Sequence, residues 1–218
     1  MNPAADTDLR LLTAIHESAH GVVGMCLPYR RFPRRVTIIP DAESAGRIFN
    51  GGTSRPIPGV TASLLAQHPE ALPNVRTSIH GELMMTVAGY VAEVRHTDAE
   101  PFWPDVFSLI EHTEDVVAAH AFAAELQPDE DRRWTWIVRA AEQVEKILCR
   151  SDIEQAMDTF VAALLEADTL EGEPLDEVIR AVEPLVEPTR RHLFRNARRR
   201  ARWHQRRIHT PKGHEQQG

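Results

Sequence analysis

Cysteine is scarce in this chain, since only Cys26 and Cys149 occur among its 218 residues. Two distant thiols exclude a disulfide framework and a Cys-x-x-Cys zinc knuckle. The sequence also lacks any run of 18 apolar residues, and its polar first ten residues have neither the basic nor the apolar region of a signal peptide. These absences predict a soluble, cytoplasmic protein with reduced thiols.

Phosphate-binding and repeat signatures are absent too. The sequence has no internal repeat and no heptad run. It also has no Gly-x-x-x-x-Gly-Lys loop, so we expect no nucleotide-binding module. What the chain does have is 42% hydrophobic residues, enough for one sizeable core. The composition therefore predicts a globular protein of one domain, or of one domain plus a tail.

Charge is distributed unevenly along the chain. Residues 190–218 contain ten Arg or Lys residues and one acidic residue, whereas residues 1–189 carry a net charge of −16. This asymmetry predicts a folded domain over 1–189 and a basic, flexible or partly helical tail over 190–218. The tail has two interpretations. It either folds back on the acidic body or contacts a polyanion, nucleic acid or anionic membrane, through the arginines from Arg190 to Arg207.

The strongest local signal is His16-Glu17-Ser18-Ala19-His20, which matches the His-Glu-x-x-His pattern of zinc hydrolases. On a helix, residues four apart lie on one face, so His16 and His20 can bind one Zn²⁺ ion from adjacent turns. Glu17 then lies beside the metal in the position of a general base. Because the chain has eleven histidines, the alternative is that these two are ordinary residues at the border of a helix.

A catalytic zinc site needs a third protein ligand as well as an open position. Spacing alone does not choose among the candidates on or near the later helices, which are His80, Glu82, Glu93, His96, Asp98, Asp105, Glu111, His112, Glu114, Asp115 and His120.

Hydrophobic periodicity predicts a mainly α fold (α+β) with a small sheet. A first helix capped by Asp6 or Thr7 runs through the motif to Pro28, and Ser151 opens a capping box before a later helix. The other predicted helices cover 60–67, 79–94, 113–126, 134–149 and 174–186. One strand is clear, at Arg35–Pro40, and its final proline predicts an edge or strand-end position.

Several segments, in order, resemble the peptidase domain of FtsH-like zinc metalloproteases, the AAA-linked membrane protease family. The segment from His16 to Gly24 resembles the family's zinc-binding helix. Val36–Pro40 resembles the strand that follows that helix. Val87–Glu93 looks like the family's Gly-Arg-x-Ala-Glu helix, with Tyr90 where arginine is usual. The other resembling segments are Ser44–Gly46, Glu114–Ala123, which looks like the Asn-Asp-x-x-x-Ala-Thr helix, and Val161–Gly172.

The resemblance implies that Asp115 is the third zinc ligand. It also implies a zinc metalloendopeptidase in which Glu17 moves protons and a strand edge holds the substrate through Val36, Thr37, Ile38, Ile39 and Pro40. Because we find neither the ATPase module nor the membrane helices of that family, we expect ATP-independent cleavage of unfolded polypeptide. A homo-oligomer is possible, since the family's peptidase domains resemble ring-forming modules.

A second hypothesis belongs to another class. In it, zinc only stabilises the fold, and the protein is a non-catalytic binding or regulatory module whose basic tail contacts nucleic acid or another polyanion. The presence of Glu17 favours the peptidase, because a purely structural zinc site needs no general base.

Overall fold

The computed structural model describes residues 3–29, 31–41, 45–50, 67, 72–97, 103, 107, 113–127 and 129–209. The elements whose bounds fall in these residues are, in chain order, α1 (Pro3–Cys26), β1 (Pro33–Thr37), β2 (Arg47–Asn50), α2 (Leu72–His96), α3 (Glu114–Leu126), α4 (Glu130–Leu148), α5 (Ser151–Ala167), β3 (Thr169–Glu171) and α6 (Glu173–His209). This arrangement confirms the predicted mainly helical α+β fold with a small sheet. The predicted helix at 60–67 lies outside the described residues except for Gln67.

Helix α1 is the central element, and it packs against α2 along one side and against α5 and α6 along another. Its apolar stripe is fully buried at Ala19, Val22 and Val23, as the periodicity predicts. The predicted caps Asp6 and Thr7 are wrong, because the helix begins at Pro3 and both residues lie inside it. Proline is tolerated in the first turn of a helix, where its missing N–H has no intrahelical acceptor.

Helix α2 packs against α1, α3 and α4. It buries a stripe that includes Leu83, Val87 and Val91 against the core. The helix is longer than its predicted core of 79–94, because it begins at Leu72, with Pro73 in its first turn. It therefore runs beside the whole histidine-bearing half of α1.

The sheet is antiparallel with the order β2-β1-β3, so β1 is its central strand. Val36 is in register with Ile48 of β2 on one side and with Leu170 of β3 on the other. The predicted edge position of the Arg35–Pro40 strand is therefore wrong. The strand also ends at Thr37, so that Ile39 and Pro40 lie beyond it.

The start of α5 differs from its prediction. Arg150 occupies the cap position and its side chain makes no capping hydrogen bond, so the predicted capping box opened by Ser151 is wrong. The Asp152 carboxylate instead accepts hydrogen bonds from the Arg150 guanidinium and from the main-chain N–H of Ile153.

The last helix, α6, continues to His209 instead of ending at 186, and it passes without a break through the predicted domain boundary at 189. Pro184 and Pro188 lie inside it. The buried face of the helix continues through this region: Val182 and Val186 are fully buried, and Leu193, beyond Pro188, packs against the same core.

The first arginine of the predicted tail belongs to this core. Arg190 is only 7% exposed and forms ion pairs with Glu183 and Glu187. Burial leaves little of the Arg190 side chain exposed for a contact with a polyanion. Arg191 is exposed and also pairs with Glu187. For the later arginines, polyanion binding stays a prediction. No helix in the described part of the chain is long and apolar enough to cross a membrane.

Candidate metal centre

The two motif histidines lie on one face of α1 and point toward the start of α3. Nε2 of His16 is 3.0 Å and Nε2 of His20 is 3.2 Å from the same oxygen of Asp115, Oδ2. The histidine rings meet edge to face, with their centroids 4.7 Å apart. Asp115 is the second residue of α3, so a chain separation of about a hundred residues is closed by the packing of three helices.

The opposite nitrogen of each ring is held by α2. Nδ1 of His16 lies 2.7 Å from Oε1 of Glu93, and Nδ1 of His20 lies 2.7 Å from the main-chain oxygen of Met85. A carbonyl oxygen and a carboxylate only accept hydrogen bonds, so each Nδ1 is the donor. In neutral imidazoles, both Nε2 lone pairs then face Asp115, and the outer partners fix the ring orientation as they do at metal sites.

This donor set fits a metal ion. Two lone pairs and a carboxylate oxygen converge, which is unfavourable unless protons or a cation lie between them. A tetrahedral ion with bonds of about 2.0 Å holds neighbouring ligand atoms about 3.3 Å apart, close to the observed 3.0 and 3.2 Å. Two imidazoles and one carboxylate are also a ligand set of catalytic zinc sites. Among the described residues, His16, His20 and Asp115 are a group that could hold a metal.

The pKa values of the ligand residues in the metal-free protein reflect how closely these groups approach one another. Burial lowers the pKa of His16, but its hydrogen bonds with Asp115 and Glu93 outweigh that effect and raise the pKa to about 10. Burial likewise opposes the shift at His20, where the Asp115 charge raises the pKa. Burial also opposes the shift at Asp115, whose pKa falls well below its usual range because of His20 and His16. Without a metal, this site therefore holds protons, which a cation has to displace.

Glu17 lies next to the histidines and is only 5% exposed. Burial raises the pKa of this carboxyl, against the opposing charges of His20 and His16. A β-carbon added to Gly46 would lie 3.1 Å from Cγ of Glu17 and 2.6 Å from Thr13 Cγ2. Glycine at position 46 thus lets the chain entering β2 pass directly over the Glu17 side chain.

A second glycine makes room for the first histidine. A β-carbon on Gly89 would lie 2.4 Å from both Cε1 and Nε2 of His16. The imidazole therefore packs directly against the backbone of α2, one turn after the Met85 carbonyl that holds His20. Next along the helix, the Tyr90 ring meets the His16 ring edge-on, with their centroids 4.9 Å apart.

Around this group lies an open cleft of about 1140 Å³ between α1, β2, α2 and α3. Its described lining includes all four site residues predicted from the motif and the resemblance: His16, Glu17, His20 and Asp115. It also includes Arg31, Ala45–Phe49, Glu82, Met85, Tyr90, Glu93, Thr113, Glu114, Val117 and Ala121. The predicted substrate residues Val36, Thr37, Ile38, Ile39 and Pro40 are not part of this lining. The strand that faces the cleft is β2.

The other candidates for third ligand occupy different places. Glu93 is an outer partner of His16, and Glu82 forms a buried ion pair with Arg31. His80 contacts Gln143, while His120 packs against Trp134. Glu114 lines the cleft and His96 is exposed. The remaining four, Asp98, Asp105, Glu111 and His112, lie outside the described residues.

Sequence reasoning missed β2 and the outer partners of the histidines. A Gly46 followed by Ile48 and Phe49 was a weak signal for a strand beside a tight approach. No sequence signal marks the Met85 carbonyl, because every residue has one. The structure thus adds β2 and the two groups that hold the imidazole rings, the Glu93 carboxylate and the Met85 carbonyl.

No protein-family model matches the chain. The chain is 27% identical over 199 residues to the ATP-dependent zinc metalloprotease FtsH of Chloroflexus aggregans (strain MD-66 / DSM 9485), and the match covers 81% of this chain. The chain spans only 30% of that protein's length. This similarity indicates a distant relationship to part of a zinc metalloprotease, in agreement with the resemblance of the motif segments.

Proposed function

We propose that the protein is a zinc-dependent metalloendopeptidase that hydrolyses peptide bonds in unfolded or flexible polypeptide segments. The observation that carries the proposal is the position of Glu17, a buried carboxyl beside three converging ligand atoms in an open cleft. A structural zinc site is closed by protein ligands and has no need of such a group. The distant similarity to a zinc metalloprotease agrees with this activity.

His16, His20 and Asp115 would hold the zinc ion, while Glu93 and the Met85 carbonyl keep the two imidazoles in place. When bound, zinc would lower the pKa of its water ligand, so that a hydroxide nucleophile is available at neutral pH, and would polarise the substrate carbonyl. The protein supplies the orientation of the ligands and the shape of the cleft. It also supplies the base.

Glu17 carries the proton. Its carboxylate accepts a proton from the attacking water as the water oxygen bonds to the carbonyl carbon, and it gives that proton to the leaving nitrogen as the C–N bond breaks. In the metal-free protein, burial raises the pKa of Glu17. No other buried carboxyl on α1 lies in the described cleft.

The outer edge of β2 is the part of the sheet that can hold a peptide. Both edges of β1 are paired with other strands, whereas β2 is an end strand of the described sheet. Three residues of β2, Arg47, Ile48 and Phe49, line the cleft. An extended chain can add to such an edge through main-chain hydrogen bonds, which gives affinity with modest side-chain selectivity. Only a segment free to become extended can bind in this way, so we propose unfolded or flexible substrates.

The deciding experiment compares wild type with Glu17→Gln and His16→Ala. We expect about one zinc per chain in wild type and in Glu17→Gln, and cleavage of a permanently unfolded protein by wild type alone. The Gln side chain keeps the size of Glu but cannot take the proton, so its activity should fall by about 10²-fold or more. His16→Ala should lose both metal and activity.

A wild-type protein that binds zinc tightly yet cleaves neither unfolded protein nor a peptide library would refute the peptidase. That outcome would favour the zinc-stabilised binding module. Equal activity in Glu17→Gln would show that another group moves the proton.

A further inference from the structure

Hydrolysis places negative charge on the carbonyl oxygen of the substrate, and no role assigned so far provides a hydrogen-bond donor for it. Apart from the two histidines, the side chains of the described cleft lining that carry an N–H or O–H donor are Thr13, Arg31, Arg47, Thr86, Tyr90 and Thr113. This inference rests on the proposed peptidase function. The question is which of these side chains stands beside the reacting carbonyl.

Three of these groups are committed elsewhere. The hydroxyls of Thr13 and Thr86 donate to carbonyls of their own helices, those of Leu9 and Glu82. The Arg31 guanidinium donates to the Glu82 carboxylate in a pair that is nearly buried. Such a guanidinium is held away from a substrate by the cost of separating the pair.

Tyr90 packs directly against one of the proposed metal ligands. Its ring meets the His16 imidazole edge-on at an interplanar angle of 89°. Its hydroxyl forms a hydrogen bond with the side chain of Thr113, which precedes the first residue of α3. The phenol therefore reaches from the His16 ring to the end of α3 that carries Asp115.

The chemistry of the hydroxyl suits the task. A phenol both accepts and donates, so it can accept the Thr113 hydrogen and direct its own hydrogen into the cleft. The contact with Thr113 and the packing against His16 fix the ring before any substrate arrives. A donor that is already oriented stabilises developing charge without reorganisation, which is the principle of an oxyanion hole.

We propose that Tyr90 is the oxyanion donor of this peptidase. As the water oxygen bonds to the carbonyl carbon, the π electron pair of the carbonyl moves onto its oxygen, and the Tyr90 O–H donates a hydrogen bond to that oxygen without transferring its proton. When the C–N bond breaks, the pair returns to the carbonyl and the amine takes its proton from Glu17. Tyr90 thus acts on the transition state and not on the metal.

The test uses full-length protein with Tyr90→Phe, and Tyr29→Phe as its matched control. These are the two tyrosines of the chain, and Tyr29 is 46% exposed and outside the cleft lining. We expect Tyr90→Phe to bind zinc as tightly as wild type and to keep KM within a few-fold, while kcat falls by about 10²–10³-fold. Tyr29→Phe should match wild type.

A binding measurement decides the matter without turnover. Two peptides of the same sequence are compared, one with a phosphinic group, whose oxygens imitate the oxyanion, and one with a thiol that carries no such oxygen. Tyr90→Phe should lower the affinity for the phosphinic peptide by about 10²-fold or more and change the affinity for the thiol peptide by no more than about threefold. Thr113→Val should weaken the phosphinic peptide less, because the phenol remains.

Equal kcat and equal phosphinic affinity in wild type and Tyr90→Phe would overturn the assignment and direct attention to Arg47. Loss of zinc in Tyr90→Phe would also overturn it, since the side chain would then support a ligand. In both cases, cleavage of the substrate by wild type would still support the proposed peptidase function. Wild type that cleaves nothing and binds neither peptide would instead refute the proposed function, and this role with it.

Discussion

Substitution of Gly89 by alanine tests how closely the metal site depends on the packing of α1 against α2. The new methyl group would lie 2.4 Å from Nε2 and Cε1 of His16 and 2.5 Å from Cδ2. Carbon atoms in favourable contact are about 3.5–4.0 Å apart, so the ring or the helix has to move by about 1 Å. The ring carries the ligand atom, and a metal–ligand distance tolerates only about 0.2 Å.

The expected magnitude follows from two opposing effects. Overpacking costs about 1–3 kcal/mol, while replacing glycine by alanine inside a helix returns about 1 kcal/mol. The metal-free protein should therefore lose between about 0 and 2 kcal/mol of its free energy of unfolding. Zinc affinity should fall further, by about 10- to 100-fold or more, as it does when the orientation of a ligand is lost.

Gly81→Ala is the matched control, because Gly81 lies on the same helix and its β-carbon would contact Leu27 at an ordinary 3.4 Å. We expect it to bind zinc normally and to be as stable as wild type or more so. The measurements are zinc affinity by competition with a chelating dye and thermal unfolding with and without chelator. Equal zinc affinity in Gly89→Ala and Gly81→Ala would refute the reasoning.

Three further predictions concern the surroundings of the site. Glu93→Gln should lower the zinc affinity by about 10- to 100-fold, because Gln is a poorer acceptor for the His16 Nδ1–H. The control Glu142→Gln, at an exposed position, should leave the zinc affinity unchanged; calorimetric titration of metal-free protein measures both. Since the pKa of His16 is raised to about 10 in the metal-free protein, its stabilising effect is fully present below about 6.5 and is lost as pH rises toward 10. The difference in free energy of unfolding between wild type and His16→Ala, measured in chelator, should therefore shrink over that range; a growing difference would contradict the assignment. Truncation after Thr189 removes the buried guanidinium that follows it and should lower the melting temperature strongly, whereas truncation after Arg199 should not; equal melting temperatures would contradict the packing of α6.

The sequence predicts those parts of the site that a single helix determines. His16, Glu17 and His20 are fixed relative to one another by the geometry of α1, so their pattern is visible in five letters. Asp115 could not be selected by spacing, because it is 95 residues away from His20 and reaches it only through the packing of α3. The family resemblance selected it, and the structure brings it to the histidines.

The failures of prediction also have physical causes. The central position of β1 depends on β3, a strand of three residues in which only Leu170 is buried, too short to show a pattern. The predicted last helix ends at 186, whereas α6 continues through Pro188, because its buried face extends beyond that residue and outweighs the cost that proline has inside a helix. In both cases tertiary packing overrides the local signal.

The central position of β1 has a consequence for the order of events during synthesis. Its partner β2 follows within about 10 residues, but β3 is translated about 120 residues later. At about 5–20 residues per second, one edge of β1 waits roughly 6–24 s for its second neighbour. During that interval the nascent chain presents an unpaired strand edge, the kind of surface on which other chains aggregate. The emerging polypeptide therefore depends on early packing of α1 and α2, or on a chaperone, to protect this edge until residues 169–171 appear.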